Sequence, residues 1–347
     1  MASKWFITKR LLLLIPVLLG VATIVFAILH LSPGDTARVI AGQRASQARV
    51  EAIRHRLGLD DPIWVQYGRF LVDIIQFDLG QSYRLHPNEP VSSLLVNKLP
   101  ITIELAIYGQ IVGIVLGIPL GMLSAIKQDT ITDHLTRVGA LTGISVPIFW
   151  SGPLLILLFA VMLGVLPPKG RIDATIFLNE HWYFMGYQLP LTGLITVDTL
   201  LLGRFDAFIS AIKHLALPAM VIGVYSMALI SRMMRSSMLE TVRQDYIRTA
   251  RAKGQGEKIT MLTHGFKNAL IPVITIIGIQ FGTLLGGAVL TETVFDIDGM
   301  GKMLVKAIEV GDYPVVQGAV LVFALLFTLV NLGVDITYSY LDPRIQQ

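Results

Sequence analysis

The densest chemistry in this sequence is cationic. Between Arg232 and Lys267 lie eight basic side chains: Arg232, Arg235, Arg243, Arg248, Arg251, Lys253, Lys258 and Lys267. Only three acids accompany them, Glu240, Asp245 and Glu257, so the island carries +5 while the whole chain carries +4. Charge of this kind suits a lipid headgroup surface or a groove on a partner protein. Nothing beyond charge points to nucleic acid, and no nucleic-acid-binding module accompanies it. The residue types that do covalent chemistry are not arranged for it. No G-x-x-x-x-G-K-[ST] run occurs, so the chain has no phosphate-binding loop and no ATPase of its own. H-E-x-x-H and G-x-S-x-G are also absent. The seven histidines, at 30, 55, 86, 134, 181, 214 and 264, show no metal-ligand spacing. With no cysteine there is no disulfide, no thiol catalysis and no Cys-ligated metal. The chain therefore reads as a non-enzyme without a metal or cofactor of its own.

The elements that must position the island are membrane helices. The chain is 53% hydrophobic and 15% charged, against roughly 25% charged in soluble domains. Six stretches lack Asp, Glu, Lys and Arg: Leu11–Gly34, Leu105–Ile126, Val138–Pro168, Leu215–Ser231, Ile271–Thr291 and Tyr313–Val334. About 20 residues cross a bilayer as a helix, the form in which a segment satisfies its own backbone. The sequence thus predicts an all-α integral membrane protein of six spans. Span 1 is placed over 9–31, span 2 over 100–126 and span 3 over 136–164. The outer segments are 32–99 and 165–213, and the island loop covers 236–268. The first run follows Lys9 and Arg10, but it is too long for a signal-peptide core and lacks a cleavage site, so it reads as a retained span. A shorter apolar run, Met185–Val197, reads as an interfacial or loop segment.

Orientation follows from basic residues in short loops. With both termini inside, residues 1–8 included, the inner side holds fourteen basic residues and the two shorter outer loops hold six. The island is then cytoplasmic. Within it, Ser237 to Glu240 fits a capping box that starts a helix. Leu239, Val242, Tyr246 and Ala250 would share its apolar face, and Gly254 would end it. A second polar helix is expected from Glu257 to Asn268, with Pro272 opening the next span.

Elsewhere, Gly109, Gly113, Gly117 and Gly121 recur at intervals of four, as do Gly278, Gly282 and Gly286, a spacing that lets helix backbones approach in lipid. Pro119, Pro147, Pro153 and Pro218 lie within or near spans and promise kinks. Glu104 stands at the outer end of span 2, and no acid stands near the middle of any span, which argues against ion coupling. Gln110, Gln280, Thr283 and Asn331 are the polar candidates to line a path. In the first outer segment a basic helix should run over Val50–Leu57 and stop at Gly58, followed by a stripe of Trp64, Tyr67, Leu71 and Ile74. The last outer segment, Glu292–Asp312, holds five acids and is expected to be a solvated loop, a contact for a soluble partner or a loop dipping into the pore.

The sequence resembles the permease subunits of ATP-binding-cassette importers, in the dipeptide/oligopeptide branch. Asp245-Tyr-Ile-Arg-Thr-Ala-Arg-Ala-Lys-Gly254 followed by Lys267-Asn-Ala-Leu-Ile-Pro272 is similar to that branch's form of the permease signature. Arg248, Thr249 and Ala250 stand in the place of the general E-A-A, with arginine replacing the glutamate and Thr249 the first alanine. The likeness spans nearly the whole chain, from Ser32-Pro-Gly-Asp35 through Leu57-Gly-Leu-Asp60, Phe77-Asp-Leu-Gly80, Val146-Pro-Ile-Phe-Trp150 and Arg232-Met-Met-Arg-Ser-Ser-Met238 to Leu341-Asp-Pro-Arg344. One departure is Phe295-Asp-Ile-Asp-Gly299, where the family often has Trp-Pro before the glycine. The resemblance implies a type I importer permease fold with its transmembrane domain over 100–337, in a bacterial inner membrane. It implies a homologous second permease, two cytoplasmic ATPase subunits that bind ATP and Mg, and a periplasmic binding protein delivering dipeptides or short oligopeptides. Nickel chelates, glutathione or haem are the alternative cargoes. Asp245, Tyr246, Arg248, Thr249, Ala250, Arg251, Ala252 and Gly254 would then form the coupling helix that docks on the ATPase.

Overall fold

The computed structural model describes residues 4–31, 37–38, 45–56, 58–178, 181–184 and 187–341. The motif at Ser32–Asp35, residue Leu57, Met185 and the tail that includes Arg344 lie outside them.

The apolar runs fold as helices. Helix α1 covers Lys4–Leu31, α4 Val91–Ile126, α8 Phe205–Val242 and α12 Tyr313–Leu341. Helix α10 runs Glu257–Val294, with π-helical turns over Thr260–Phe266. Helix α5, Ile131–Ser145, and α6, Ile148–Met162, are bent by 108° against each other. Among the described residues five helices are long and apolar enough to cross a membrane, and the bent pair makes a sixth crossing if counted as one. The remaining elements are short: α2 (Gln47–Arg56), α3 (Ile63–Ile75), α7 (Ile195–Leu201), α9 (Asp245–Ala252) and α11 (Met300–Val310). An antiparallel hairpin pairs β1 (His181–Phe184) with β2 (Tyr187–Pro190), His181 opposite Pro190, at the start of the run expected as interfacial.

The seam between α4 and α8 is the centre of the molecule. Gly109, Gly113, Gly117 and Gly121 all face α8, meeting Ile222, Ser226, Ile230 and Ser231 in turn. A Cβ at Gly121 would lie 2.4 Å from the Ser231 carbonyl oxygen, so backbone meets backbone there. Leu105 and Ala106 of α4 join Leu217, Val221 and Ile222 of α8 and Leu284, Leu285 and Ala288 of α10 in one buried cluster. The glycines of α10 divide. Gly278 and Gly282 meet Val334 and Phe327 of α12, whereas a Cβ at Gly286 would meet nothing within 4 Å among the described residues. Helix α1 lies on α12, tied by Arg10 to Asp335 at 2.9 Å.

Four boundaries differ from the sequence expectation. Helix α4 starts nine residues earlier than 100, because Val91, Leu94 and Leu95 are buried against Met300, Met303 and Ala307 of α11. At about 1.5 Å per residue its 36 residues reach about 54 Å, well beyond a 30 Å hydrocarbon core. Glu104 therefore sits inside a continuous helix. Span 3 is interrupted at Pro147, which cannot donate to the helix and holds Val146 in extended backbone, φ −84° and ψ 119°. Ser237 starts no helix: it is buried in α8, which continues to Val242 because Met234 and Met238 pack against Ala269 and Val273. The second polar helix is likewise continuous with the next span, and Pro272 lies inside α10 just past its widened turns.

The short outer elements match more closely. Helix α2 stops before Gly58, whose φ is +63°. In the α3 stripe Tyr67 packs edge-on against Phe26 of α1 with ring centroids 5.2 Å apart, while Trp64 is 73% exposed.

The seam sets the first prediction. Gly121→Ala forces the α4 and α8 backbones apart and is expected to cost about 1–3 kcal/mol, seen as a lower melting temperature in detergent. Gly286→Ala adds a methyl in open space and is expected to be neutral or slightly stabilising, since Ala is the better helix former. Equal effects from the two substitutions would refute the close-approach account.

Candidate functional site

The basic island folds as a tight corner between the two central helices. Helix α8 ends at Val242, and the Arg243 and Gln244 amides bond back to Glu240 and Thr241 carbonyls at 3.2 and 3.1 Å. Helix α9 starts at Asp245 and packs against the widened turns of α10. Its inward face is Ile247, fully buried, and Ala250. The expected apolar face is corrected here. Leu239 and Val242 belong to α8, and Tyr246 is 43% exposed. The register of α9 counts from Asp245 rather than from Ser237, which turns Ile247 inward and Tyr246 out.

The stop at Gly254 is as the sequence suggests. Its φ of +79° is left-handed, and the Gln255 amide reaches the Ala250 carbonyl at 3.3 Å, closing the helix in a Schellman pattern. Arg251 grips Glu257 across this corner with two bonds, 3.0 and 2.7 Å, and His264 pairs with Gln255 at 3.0 Å. Asp245, Arg248, Thr249, Ala252 and Lys253 are left exposed, with Arg248 only 3.7 Å from Asp245 in a loose pair.

Close to this corner a buried ion pair locks three helices. Asp133, near the start of α5, has no exposed surface and accepts two bonds from Arg235 of α8, at 2.8 and 2.7 Å. Ser124 of α4 donates to the same carboxylate, and the Asp129 amide adds a fourth bond at 3.1 Å. The sequence reading counted Arg235 only as island charge and passed over Asp133. A second buried pair joins Glu104 of α4 to Arg171 at 2.7 Å, with Thr196 donating to Glu104 from both its amide and its hydroxyl.

Gln110 lines a cleft of about 410 Å³ between α4, α10 and α12, together with Thr275 and Thr337, which the sequence reading did not single out. Gln280 is buried in α10, Thr283 is exposed and bonds its own helix at Ile279, and Asn331 is half-buried in α12. The Gln110 amide nitrogen, the Thr275 hydroxyl and the Gln280 amide oxygen have no hydrogen-bond partner among the described residues. Unpartnered polar atoms would have marked Thr275, a signal that no spacing rule carries.

The acidic outer segment is neither a loop nor free. It folds as α11 with its flanks, and four of its five acids are engaged within the chain. Glu292 accepts from Thr102 at 2.6 Å and from the Lys302 amide at 2.9 Å. Asp296 pairs with Lys302 and Asp298 with Lys98. Asp312 takes the Ser82 hydroxyl and the amides of Tyr83, Arg84 and Leu85. Burial opposes its charge, but these donors outweigh burial and hold the carboxyl below its ordinary value.

Comparison with known proteins places the chain among transport components. The family described as binding-protein-dependent transport system inner membrane component matches residues 117–347, and its N-terminal companion matches residues 4–106. The chain is 46% identical over 338 residues to the dipeptide transport system permease protein DppB of Alkalihalophilus pseudofirmus, covering 97% of this chain and 98% of that one. It is 44% identical over 343 residues to the protein of that name from Escherichia coli strain K12, covering 98% of each. Among solved structures, the MetNI methionine ABC transporter in inward-facing conformations matches with a TM-score of 0.52 at 17% identity, covering 72% of this chain and 97% of that one. That likeness speaks to the fold.

Two outcomes follow from the geometry. Arg235→Met leaves Asp133 buried without its partner and is expected to cost about 3–5 kcal/mol. Adding Asp133→Leu is expected to restore most of that loss, as a double-mutant cycle in thermal unfolding would read. Asp312 has a lowered pKa, so its contribution is complete above the ordinary carboxylate value of about 3.9 and is lost only as pH falls through the lowered one. Hydrogen-exchange protection of the Tyr83, Arg84 and Leu85 amides should stay flat from pH 7 to pH 5 and vanish in Asp312→Ala.

Proposed function

The chain belongs to the binding-protein-dependent transport system inner membrane components, and from that premise we propose how it works as the permease of a peptide importer. It is a multi-pass, helical permease subunit of an ABC importer, with the type I permease fold, and is not itself an enzyme. It acts within a transporter complex with other subunits. Its cargo on this proposal is a dipeptide or short oligopeptide, handed over by a periplasmic binding protein. Identity of 46% and 44% over nearly the full chain to dipeptide permeases supports that choice over nickel chelates, glutathione or haem. A homologous second permease completes the pore, and ATP with Mg is bound by two cytoplasmic ATPase subunits. The excess of basic residues on the island side supports a cytoplasmic loop and cytoplasmic termini in the inner membrane.

One observation carries the mechanism: α9 is a short, internally braced helix mounted directly between α8 and α10. Both of those helices contribute to the central buried cluster. A groove on an ATPase that moves when ATP binds would carry α9 with it. Because Gly254 and the Arg251–Glu257 clasp keep the corner stiff, the displacement passes to α8 and α10 rather than dissipating in a loop. Helix α8 is in backbone contact with α4, so those two move together. The cleft that holds Gln110 and Thr275, between α4, α10 and α12, is the wall that such a motion would reshape. Its unpartnered amide and hydroxyl would meet polar atoms of a peptide or its water as readily as those of the second permease.

The test is uptake of a labelled dipeptide into vesicles that contain the whole complex and the binding protein. Gly254→Pro places a φ near −65° where +79° is needed, and Tyr246→Asp changes only the outward face. Both are expected to abolish uptake and to uncouple ATP hydrolysis from the binding protein while the chain still inserts. Unimpaired transport by both variants would refute the coupling role. Uptake that survives without the ATPase subunits and collapses with the proton gradient would refute the importer assignment as well.

A further inference from the structure

A second cleft stands apart from the proposed path and from the outer face of α9. It lies between α5 and α8 and holds a cavity of about 300 Å³. Its polarity is graded along the helices. Arg137 and Thr136 of α5 and Arg232, Arg235 and Ser236 of α8 line the end nearer the basic island. Ala140, Leu141 and Ile144 of α5 and Ala228 of α8 line the end deeper in the bundle. The step from Arg137 to Ile144, and from Arg235 to Ala228, is seven residues, about 10 Å of helix in each case.

The charges at the mouth are not equivalent. Arg235 is neutralised by the buried Asp133, and Asp129 also acts on it. Arg137 and Arg232 are exposed, and neither has a carboxylate partner among the described residues. Two free guanidinium groups beside hydroxyls call for a phosphate. The apolar wall beyond them calls for hydrocarbon. A phosphate at one end and hydrocarbon at the other are the two parts of a phospholipid.

We propose that this cleft binds one anionic phospholipid, its headgroup phosphate on Arg137 and Arg232 and the start of an acyl chain against Ala140, Leu141, Ile144 and Ala228. Basic pockets between membrane helices are the general form of such sites. The lipid would bridge α5 to α8 on the face where the Asp133–Arg235 pair already joins them. The site requires only that α8 crosses the membrane; it does not depend on the cargo or on the docking role of α9.

Native mass spectrometry of the purified complex tests this, with phosphatidylglycerol, phosphatidylcholine and inorganic phosphate as probes. Phosphatidylglycerol is expected to stay bound and to raise the melting temperature by several degrees, whereas phosphatidylcholine and phosphate do neither. R137Q/R232Q is expected to lower phosphatidylglycerol retention at least tenfold. Ala140→Trp fills the apolar end with both arginines intact and should lower it similarly, so a folding defect in one variant does not decide the matter. Retention unchanged in both variants, or equal retention of phosphatidylcholine, overturns the site. Displacement of lipid by inorganic phosphate makes it a free-anion site instead. Lipid held by the permease pair but expelled when the ATPase subunits assemble assigns the cleft to a protein contact.

Discussion

Two backbones in contact govern this molecule. Along α4 and α8 four glycines remove the side chains that would otherwise hold the helices apart, and at Gly121 the facing atom is a main-chain oxygen. In lipid there is no hydrophobic gain from bringing two apolar helices together, so association rests on contact density and on the polar groups that can be matched. A seam this close has few alternative registers, because shifting it by one residue sets Cβ atoms against backbone. The pair therefore behaves as one body. Since α8 runs unbroken into the corner that carries α9, whatever holds α9 holds that body.

The buried charges serve the same seam. Desolvating an ion pair costs several kcal/mol per ion, and the attraction regained rarely exceeds the cost by much. Glu104–Arg171 and Asp133–Arg235 are thus poor investments in stability alone. Their positions suggest what they contribute. Glu104 lies on the α4 side of the seam before its first glycine, and it takes Arg171 and, through Thr196, the start of α7. Asp133 joins the last turn of α4, through Ser124, to α8, through Arg235, just beyond Gly121. Each pair brackets one end of the glycine run, and each carboxylate is satisfied by further donors. The Asp133 site ties Ser124 of α4 to Arg235 of α8 and so sets which residues of the two helices stand opposite each other, whereas Glu104 ties α4 to Arg171 and to α7.

The sequence disclosed the seam because its signal is local: four glycines at helical spacing need no partner to be recognised. It named Pro147 only as one of four kink candidates: Pro119, Pro153 and Pro218 lie inside helices, and at Pro147 alone, which holds Val146 extended, does the span break. Helix ends were harder. Ser237 and Glu240 have the composition of a helix start, yet the burial of Met234 and Met238 against Ala269 and Val273 carried α8 through them. For Glu292, Asp298 and Asp312 the distant partners, Thr102, Lys98 and residues 82–85, lie roughly 190 to 230 residues away in sequence, so these acids looked solvated. Asp133 and Arg235 are 102 residues apart, and neither is remarkable alone. What tertiary burial decides cannot be read from neighbours along the chain.

Tyr246 shows how a small error of register alters a functional picture. Placed on the buried face, it would be a packing residue and its loss a matter of stability. Turned outward, it is a half-exposed aromatic ring amid Asp245, Arg248 and Lys253, the composition of a contact surface rather than a core. An isolated helix of eight residues does not hold its shape in water. Here it does not need to, because Ile247 and Ala250 anchor one side, Gly254 closes the end and Arg251 clasps Glu257. A surface already ordered before contact spends little conformational entropy on docking. On the proposed coupling, the bracing of α9 matters as much as the residues it presents, and Glu257 stands beside Tyr246 among the residues on which uptake would turn.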